Sequence, residues 1–214
     1  MKLQDLLEVV GDEPVFDSSL LFAAQTDIAA IQRQLSRWTK HGTLHQLRRS
    51  LYALAPPWRK VPAHPFLVAN RMIRASYVSL QSALQHHGLI PEYVPVTTSV
   101  TTGSPGRWTN PLGTFQAQHI AMDLFFGYRL ENLGAGQHAF IAWPEKALLD
   151  LIHLHHDGAS PDYIGSLRLQ NLDRLSLDRL QGFAGRAMKP KLSRAVPVIA
   201  ALAEREAQEY EVLA

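Results

Sequence analysis

The sequence predicts an α+β fold in two domains, residues 1–60 and residues 61–214. Three observations predict it. Helical periodicity dominates the first forty positions, a pair of short alternating segments follows, and a cluster of prolines then interrupts the chain. Beyond the prolines, β-type segments precede a helical C-terminal part. The second domain is therefore expected to combine a small antiparallel sheet with a helical C-terminus.

The first two helices are short. Apolar residues at helical spacing predict the first helix, which Gly11 ends: Leu3, Leu6, Leu7 and Val10. The second helix is expected to run to about Ala24. One of three side chains that accept hydrogen bonds from backbone N–H groups caps its start: Asp17, Ser18 or Ser19.

The third helix has the clearest pattern in the chain. Its apolar stripe follows the spacing i, i+3, i+7 and i+10: Ile28, Ile31, Leu35 and Trp38. Thr26 or Asp27 caps its start, and His41 and Gly42 end it. Its other faces are polar and basic: Gln32, Arg33, Gln34, Ser36, Arg37 and Lys40.

Residues 43–54 alternate as two short strands with a tight connection, in which Gln46, Leu47, Arg48 and Arg49 occupy the tip. Three helices followed by a two-stranded hairpin within about 55 residues is the order of a winged helix-turn-helix domain. The prolines then mark the domain boundary: Pro56, Pro57, Pro62 and Pro65.

The second domain begins with two predicted helices, residues 66–73 and 78–87. Strands are predicted next, with a hairpin turn at residues 103–106: 94–101, 113–120, 124–130 and 140–142. Residues 97–102 form a polar, β-branched strand, which either presents hydroxyls at a surface or lies at a sheet edge. Pro144 opens a helix, in which Lys146 pairs with Asp150 at i+4, and residues 161–210 are helical.

Charge is segregated along the chain. The totals are nearly balanced, 21 Lys and Arg against 19 Asp and Glu, yet no acidic residue lies between Asp27 and Glu92. Nine bases lie there: Arg33, Arg37, Lys40, Arg48, Arg49, Arg59, Lys60, Arg71 and Arg74. Such a segment suits a polyanion, because each neutralised phosphate releases counterions. The alternative is a solvated basic face without a ligand.

The basic third helix predicts DNA binding, since a helix fits the major groove, where arginine pairs with guanine and glutamine with adenine. Depending on the roll of the helix, Gln32, Arg33 and Ser36, or Gln34 and Arg37, face the bases. Lys40, Arg48 and Arg49 are expected to contact phosphate, with Gln46 beside them on the wing. The alternative is a winged helix that binds protein.

Enzymatic motifs are absent from the sequence: it has no Walker loop, no Gly-x-Ser-x-Gly and no dinucleotide fingerprint. Gly103 and Ser104 resemble the opening of a nucleotidyltransferase motif, but no pair of carboxylates follows. His153, His155 and His156 lie near a helix end, where imidazolium charge is favoured, and a zinc site is the alternative. We predict that the protein is not an enzyme and needs no cofactor or metal.

The chain has no cysteine, no signal peptide and no apolar run of membrane length, which predicts a cytoplasmic protein without a membrane partner.

Several blocks of the second domain carry a family resemblance. They are residues 76–84, residues 87–92, residues 98–101, Phe115 with His119, residues 124–128 and residues 142–151. In this order they resemble the AbiEi family of bacterial antitoxins and transcriptional regulators, which belong to abortive-infection, type IV toxin–antitoxin systems. The resemblance covers nearly the whole chain, and residues 76–151 are its specific part.

The resemblance implies a repressor that binds inverted repeats upstream of its own operon through the winged helix. It also implies antitoxin activity in the second domain, against a nucleotidyltransferase-like toxin and without a stable complex with that toxin. Two alternatives stay open: a stand-alone regulator without a toxin, and a toxin-neutralising, protein-binding module whose winged helix does not bind DNA. A metal-dependent nucleic-acid enzyme is the weaker rival.

Overall fold

Two β-sheets organise this computed structural model, which describes residues 1–22 and 27–213, with side chains described as far as residue 209. Helices α1 to α8 span Leu3–Val10, Ile28–Lys40, Pro65–Met72, Leu80–His86, Pro144–Leu154, Pro161–Ser166, Leu177–Ala187 and Pro190–Leu213. Strands β1 to β9 span Phe16–Asp17, Leu44–Arg48, Leu51–Leu54, Ser76–Val78, Val96–Thr101, Gly106–Asn110, Gly113–His119, Tyr128–Gly134 and Gln137–Ala142. Short 3₁₀ segments span Ser18–Leu21, Met122–Leu124 and Leu172–Arg174. The predicted α+β class is confirmed.

The first sheet is antiparallel and has the strand order β1-β3-β2. Helices α1 and α2 contribute to one apolar cluster with this sheet, which includes Leu6, Phe16, Leu35 and Trp38. The predicted stripe of α2 is buried except at its first position, because Ile28 is 47% exposed. The buried stripe fixes which face of α2 points outward.

The segment between β1 and α2 is shorter than a regular helix where it is described. Asp17 Oδ1 accepts a hydrogen bond of 2.9 Å from Ser19 N and caps a 3₁₀ turn that ends at Leu21. Asp27 caps α2 by accepting from Ala30 N at 2.9 Å. The predicted continuation to Ala24, and Thr26 as an alternative cap, lie outside the described residues.

The second sheet corrects the prediction of a small antiparallel sheet. It has six strands in the order β6-β7-β5-β4-β9-β8, and the pairs β4/β9 and β5/β7 are parallel. Strand β4 was not predicted, and the helix predicted from Val78 begins only at Leu80. All three β4 residues are buried, so no alternation of polar and apolar residues indicates a strand there.

Strand β5 is internal to the sheet. The predictions that residues 97–102 lie at a sheet edge or present hydroxyls at a surface are therefore wrong. Its Thr97, Thr98, Ser99 and Thr101 are buried, and Thr98 Oγ1 donates to Ser79 O at 2.8 Å. The turn predicted at residues 103–106 is not a hairpin, because β5 and β6 both pair with β7 rather than with each other.

The two modules share apolar core. Leu47, Leu51 and Ala53 of the first sheet lie in the same cluster as Val68 and Met72 of α3. The predicted boundary at residue 60 falls in an exposed segment, residues 56–60. No helix within the described residues combines the length and apolar character that crossing a membrane requires.

Candidate nucleic-acid interface

The outward face of α2 is polar and basic. Arg33, Ser36, Arg37 and Lys40 are exposed and follow the spacing i, i+3, i+4 and i+7, which places them on one face. Gln32 is exposed on the flank of this face. The outward face thus holds Gln32, Arg33 and Ser36 from one predicted set and Arg37 from the other, because the buried stripe of α2 determines the roll of the helix.

Gln34 lies apart from this face, because it is half-buried on the other flank of α2. Its amide is therefore less accessible to a ligand than the amide of Gln32.

The electrostatics of this face favour an anion. Arg33 forms an ion pair with Asp27 at 3.9 Å, but the two side chains are 68% and 64% exposed. An exposed pair at this distance contributes little, so Arg33 can turn toward a ligand. Within the described residues, neither Arg37 nor Lys40 forms an ion pair. We name the five exposed residues together the α2 face: Gln32, Arg33, Ser36, Arg37 and Lys40.

The predicted wing tip is docked against the second module. Arg48 Nη1 donates to the main-chain oxygen of Met72, and its guanidinium lies 5.0 Å from the centroid of the Trp108 ring. Leu47 is buried, and its main-chain oxygen accepts a hydrogen bond from Asn110 Nδ2 at 3.4 Å. Arg48 therefore contributes to the junction between the modules. Its side chain is also exposed, so its predicted contact with phosphate stays a prediction.

The other predicted wing residues remain accessible. Gln46 is exposed on β2, and Arg49 is exposed in the turn that joins β2 to β3. The docking of the hairpin brings Arg49 to a cleft at the junction. This placement depends on contacts between residues far apart in sequence, so no local pattern predicts it.

The cleft at the junction is basic. It has a volume of about 470 Å³, and its lining includes Arg48, Arg49, Arg71, Arg74 and Ser104. Arg71 and Arg74 are exposed and were not among the predicted site residues, although they belong to the acid-free segment. We name this feature the junction cleft. Four arginines in the lining make the cleft suited to a phosphate backbone.

One carboxylate also lines the junction cleft, that of Asp17. Burial raises the pKa of Asp17, but hydrogen bonds from Ser19 and Ser50 and the charge of Arg71 outweigh burial and lower it overall. Ser50 Oγ donates to Asp17 Oδ2 at 2.9 Å. Asp17 is therefore ionised at neutral pH and joins β1 to the turn between β2 and β3.

A second cluster of polar groups is buried beneath the mixed sheet. Lys146 Nζ donates to the hydroxyl of Tyr77 at 2.8 Å and to Asp150 Oδ1. Asp150 Oδ2 accepts from the hydroxyl of Tyr77 at 3.0 Å and from Ser79 Oγ at 2.8 Å. The predicted pair of Lys146 and Asp150 is confirmed, and their side chains are only 3% and 4% exposed.

The pKa directions in this network follow from burial. Burial raises the pKa of Tyr77, and the Asp150 carboxylate raises it further. Burial lowers the pKa of Lys146, while Asp150 acts in the opposite direction. Every charged group in the network has a partner, as a buried charge requires, and the network ties α5 to the region of β4.

Glu145 extends this arrangement to α7. Its carboxylate is fully buried in the first turn of α5, and accepts from Ser176 N at 2.7 Å and from Arg179 Nη1 at 3.2 Å. Arg179 also lies 4.3 Å from the centroid of the Trp143 ring. These contacts position the start of α7 against the start of α5.

The three clustered histidines do not converge. His155 stacks on Tyr163, His156 is 96% exposed near Asp157, and burial lowers the pKa of the half-buried His153. Within the described residues they do not belong to a group of three close metal ligands. The lowered pKa of His153 also runs against the expected imidazolium charge at this helix end.

No protein-family model matches the chain, and no curated protein matches it. The resemblance to the AbiEi family therefore rests on the sequence blocks quoted above and stays a prediction.

Proposed function

We propose that the protein is a sequence-specific DNA-binding transcriptional repressor that reads its operator with α2. The observation that carries this proposal is the α2 face. It combines three cationic side chains with a glutamine and a serine, opposite a stripe that anchors the helix in the core. Arginine and glutamine side chains recognise guanine and adenine edges in the major groove.

The arrangement of elements in the first module supports a winged helix-turn-helix. The order is α1, β1, a 3₁₀ turn, α2 and a β2-β3 hairpin, and the third strand lies between the other two. In such domains the helix before the hairpin enters the major groove. With α2 in the groove, Gln32, Arg33, Ser36 and Arg37 would face the bases and Lys40 would face the phosphates.

Phosphate contacts beyond α2 come from the junction cleft and the exposed hairpin side chains. Gln46, Arg49, Arg71 and Arg74 are exposed. Arg48 is exposed as well, but its guanidinium also donates a hydrogen bond to the main-chain oxygen of Met72. The acid-free segment thus supplies positive charge from both modules.

Inverted repeats upstream of the protein's own operon would bring two copies of the protein onto one duplex.

We further propose that residues 61–214 carry antitoxin activity against a nucleotidyltransferase-like toxin, without a stable complex between the two proteins. This proposal is supported by the AbiEi resemblance. The blocks around Tyr77, Ser79, Lys146 and Asp150 supply the buried polar network, so they maintain this module. A regulator without a toxin remains the alternative.

Fluorescence anisotropy tests the DNA-binding proposal. The purified chain is titrated into labelled duplex from upstream of its own gene and into a scrambled duplex, at several salt concentrations. We expect a preference of about 100-fold or more. If about five phosphates are neutralised, the log–log salt slope is about −4 to −5. Weak binding that is equal on both duplexes would contradict sequence-specific repression.

Co-expression tests the antitoxin proposal separately. A nucleotidyltransferase-like gene adjacent to this one would be expressed with and without the full-length chain, and growth would be followed. Rescue by the full-length chain in the presence of the toxin supports antitoxin activity. Growth arrest that persists with the full-length chain contradicts it.

A further inference from the structure

Three metal-ligand side chains meet where the end of α4 approaches the edge strand β8. His86 and His87 come from α4 and its C-terminal cap, and Glu131 comes from β8. One ligand atom from each lies within 4.8 Å of the other two. His86 Nε2 is already 3.0 Å from Glu131 Oε2. Glu131 lies 45 positions after His86 in the chain, so it meets the two adjacent histidines only in the tertiary structure.

We propose that His86, His87 and Glu131 bind one divalent first-row transition metal ion, for which Zn²⁺ is the representative. Two imidazoles and one carboxylate are a donor set that zinc accepts, with a fourth position open to water. Imidazole nitrogen also suits Co²⁺, Ni²⁺ and Cu²⁺, whereas Mg²⁺ and Ca²⁺ require mostly oxygen ligands.

The neighbouring groups orient these ligands. Glu131 Oε1 accepts a hydrogen bond of 2.8 Å from Arg129 Nε, which leaves Oε2 facing His86. His87 Nε2 lies 2.8 Å from the main-chain oxygen of Ala142. Because a carbonyl can only accept, Nε2 carries the proton and the lone pair of the neutral ring is on Nδ1. Such outer hydrogen bonds typically fix the tautomer of metal-binding histidines.

Metal binding requires both imidazoles to offer a lone pair and the carboxylate to be ionised. The hydrogen bond between His86 and Glu131 would therefore be replaced by bonds to the ion. The charge of Arg129, which donates to Glu131 Oε1 at 2.8 Å, opposes binding of any cation here, so the affinity has to come from the two imidazoles and the carboxylate.

A metal ion here would connect a helix end to a sheet edge. Strand β8 ends the sheet order and pairs only with β9 within the described residues. The ion would add a link between α4 and β8 that its ligands make only in the folded state. Binding to the folded state alone raises its stability by mass action. This inference is independent of DNA binding.

Metal titration of the tag-free, EDTA-treated full-length chain tests the site. Zn²⁺ is measured by equilibrium dialysis with elemental analysis, and Co²⁺ by its visible absorption spectrum. We expect one ion per chain and the intense visible bands of four-coordinate Co²⁺. His86→Ala and Glu131→Gln should each weaken binding by about ten-fold or more. His156→Ala removes an exposed histidine outside the site and serves as the matched control.

Thermal unfolding provides a second readout. Zn²⁺ should raise the Tm of the wild type and of His156→Ala, but not the Tm of His86→Ala. His86 is exposed, so its removal leaves the core intact, and circular dichroism verifies the fold of each variant. Absence of stoichiometric binding to the wild type would overturn the proposal. Equal affinity in the wild type and His86→Ala would overturn it as well.

Discussion

The guanidinium of Arg48 lies 5.0 Å from the centroid of the Trp108 ring and donates a hydrogen bond to the main-chain oxygen of Met72. This contact joins the hairpin of the first module to β6 and α3 of the second. Arg49, the next residue, is exposed and lines the junction cleft. Arg48 lines the same cleft, so the contacts of Arg48 with Met72 and Trp108 are what distinguish the two arginines. We predict that substitution separates their contributions.

Arg48→Ala is expected to weaken the junction between the modules. It removes one hydrogen bond and one cation–π contact, which together contribute about 1–2 kcal/mol to the free energy of unfolding. Urea denaturation measures this loss. The salt slope of DNA binding should stay near that of the wild type, and a clear drop in the slope would show that Arg48 contacts phosphate instead.

Arg49→Ala is expected to show the opposite pattern. Its side chain is exposed, so the free energy of unfolding should change by less than about 0.5 kcal/mol. If Arg49 neutralises a phosphate, affinity should fall on every duplex and the log–log salt slope should become shallower by about one. Anisotropy at four or more salt concentrations measures the slope. An unchanged slope would remove Arg49 from the phosphate contacts.

Arg37→Ala tests base reading by the α2 face. Loss of a bidentate contact to guanine costs about 1–3 kcal/mol of binding free energy on the operator, and less on scrambled DNA. Competition anisotropy on both duplexes measures the two losses. Arg205→Ala, which removes an exposed arginine from α8, is the control and should leave both affinities near wild type. Equal losses on both duplexes in Arg37→Ala would refute base reading by this residue.

Lys146→Met is expected to destabilise the protein by about 3–5 kcal/mol, because it leaves Asp150 buried without its cationic partner. The double variant Lys146→Met/Asp150→Leu should recover part of this loss, since no isolated charge remains. Urea denaturation compares the variants. Lys189→Met removes an exposed ion pair with Asp123 and should cost less than about 1 kcal/mol. If Lys146→Met lowers the free energy of unfolding no more than this control does, the buried pair does not contribute to stability.

Asp17 should make stability depend on acidic pH. Its folded-state pKa lies below the ordinary aspartate value, so its contribution is fully present above about pH 4. The contribution is lost as the pH falls through the folded-state pKa, because the protonated carboxyl no longer gains from Ser19, Ser50 and Arg71. Unfolding of the wild type and Asp17→Asn between pH 7 and pH 3 measures it.

The stability difference between the wild type and Asp17→Asn should shrink toward the acidic end of this range. Asp12→Asn is the control, because the ion pair of Asp12 with Lys60 is exposed. A difference between the wild type and Asp17→Asn that stays constant with pH would contradict the lowered pKa of Asp17.

The elements predicted correctly from the sequence depend on local patterns. The stripe of Ile31, Leu35 and Trp38 in α2, the start of α5 at Pro144, and the pair of Lys146 and Asp150 are each encoded within a few residues. Helical periodicity, proline at the first helical position and i+4 spacing are short-range signals. Predictions from these signals hold in the folded protein because the signals do not depend on which other segments pack against the helix.

The predictions that were wrong concern the pairing of strands that are distant in sequence. Strand β4 is three buried residues without a periodic signal, yet it lies between β5 and β9 in the mixed sheet. Because β4 occupies that place, the hydroxyl-bearing strand β5 is internal rather than at an edge. The choice between parallel and antiparallel neighbours depends on the path of the whole chain.

The candidate sites divide in the same way. The sequence alone determined the acid-free basic segment, the amphipathic helix α2 and the β2-β3 hairpin, because charge and periodicity are properties of the chain itself. Only the tertiary structure decided that Arg48 packs on Trp108, that Arg71 and Arg74 join Arg49 in one cleft, and that His86, His87 and Glu131 converge. The physical reason is that such contacts require distant segments to be brought together by burial of the shared core, which no short stretch of sequence records.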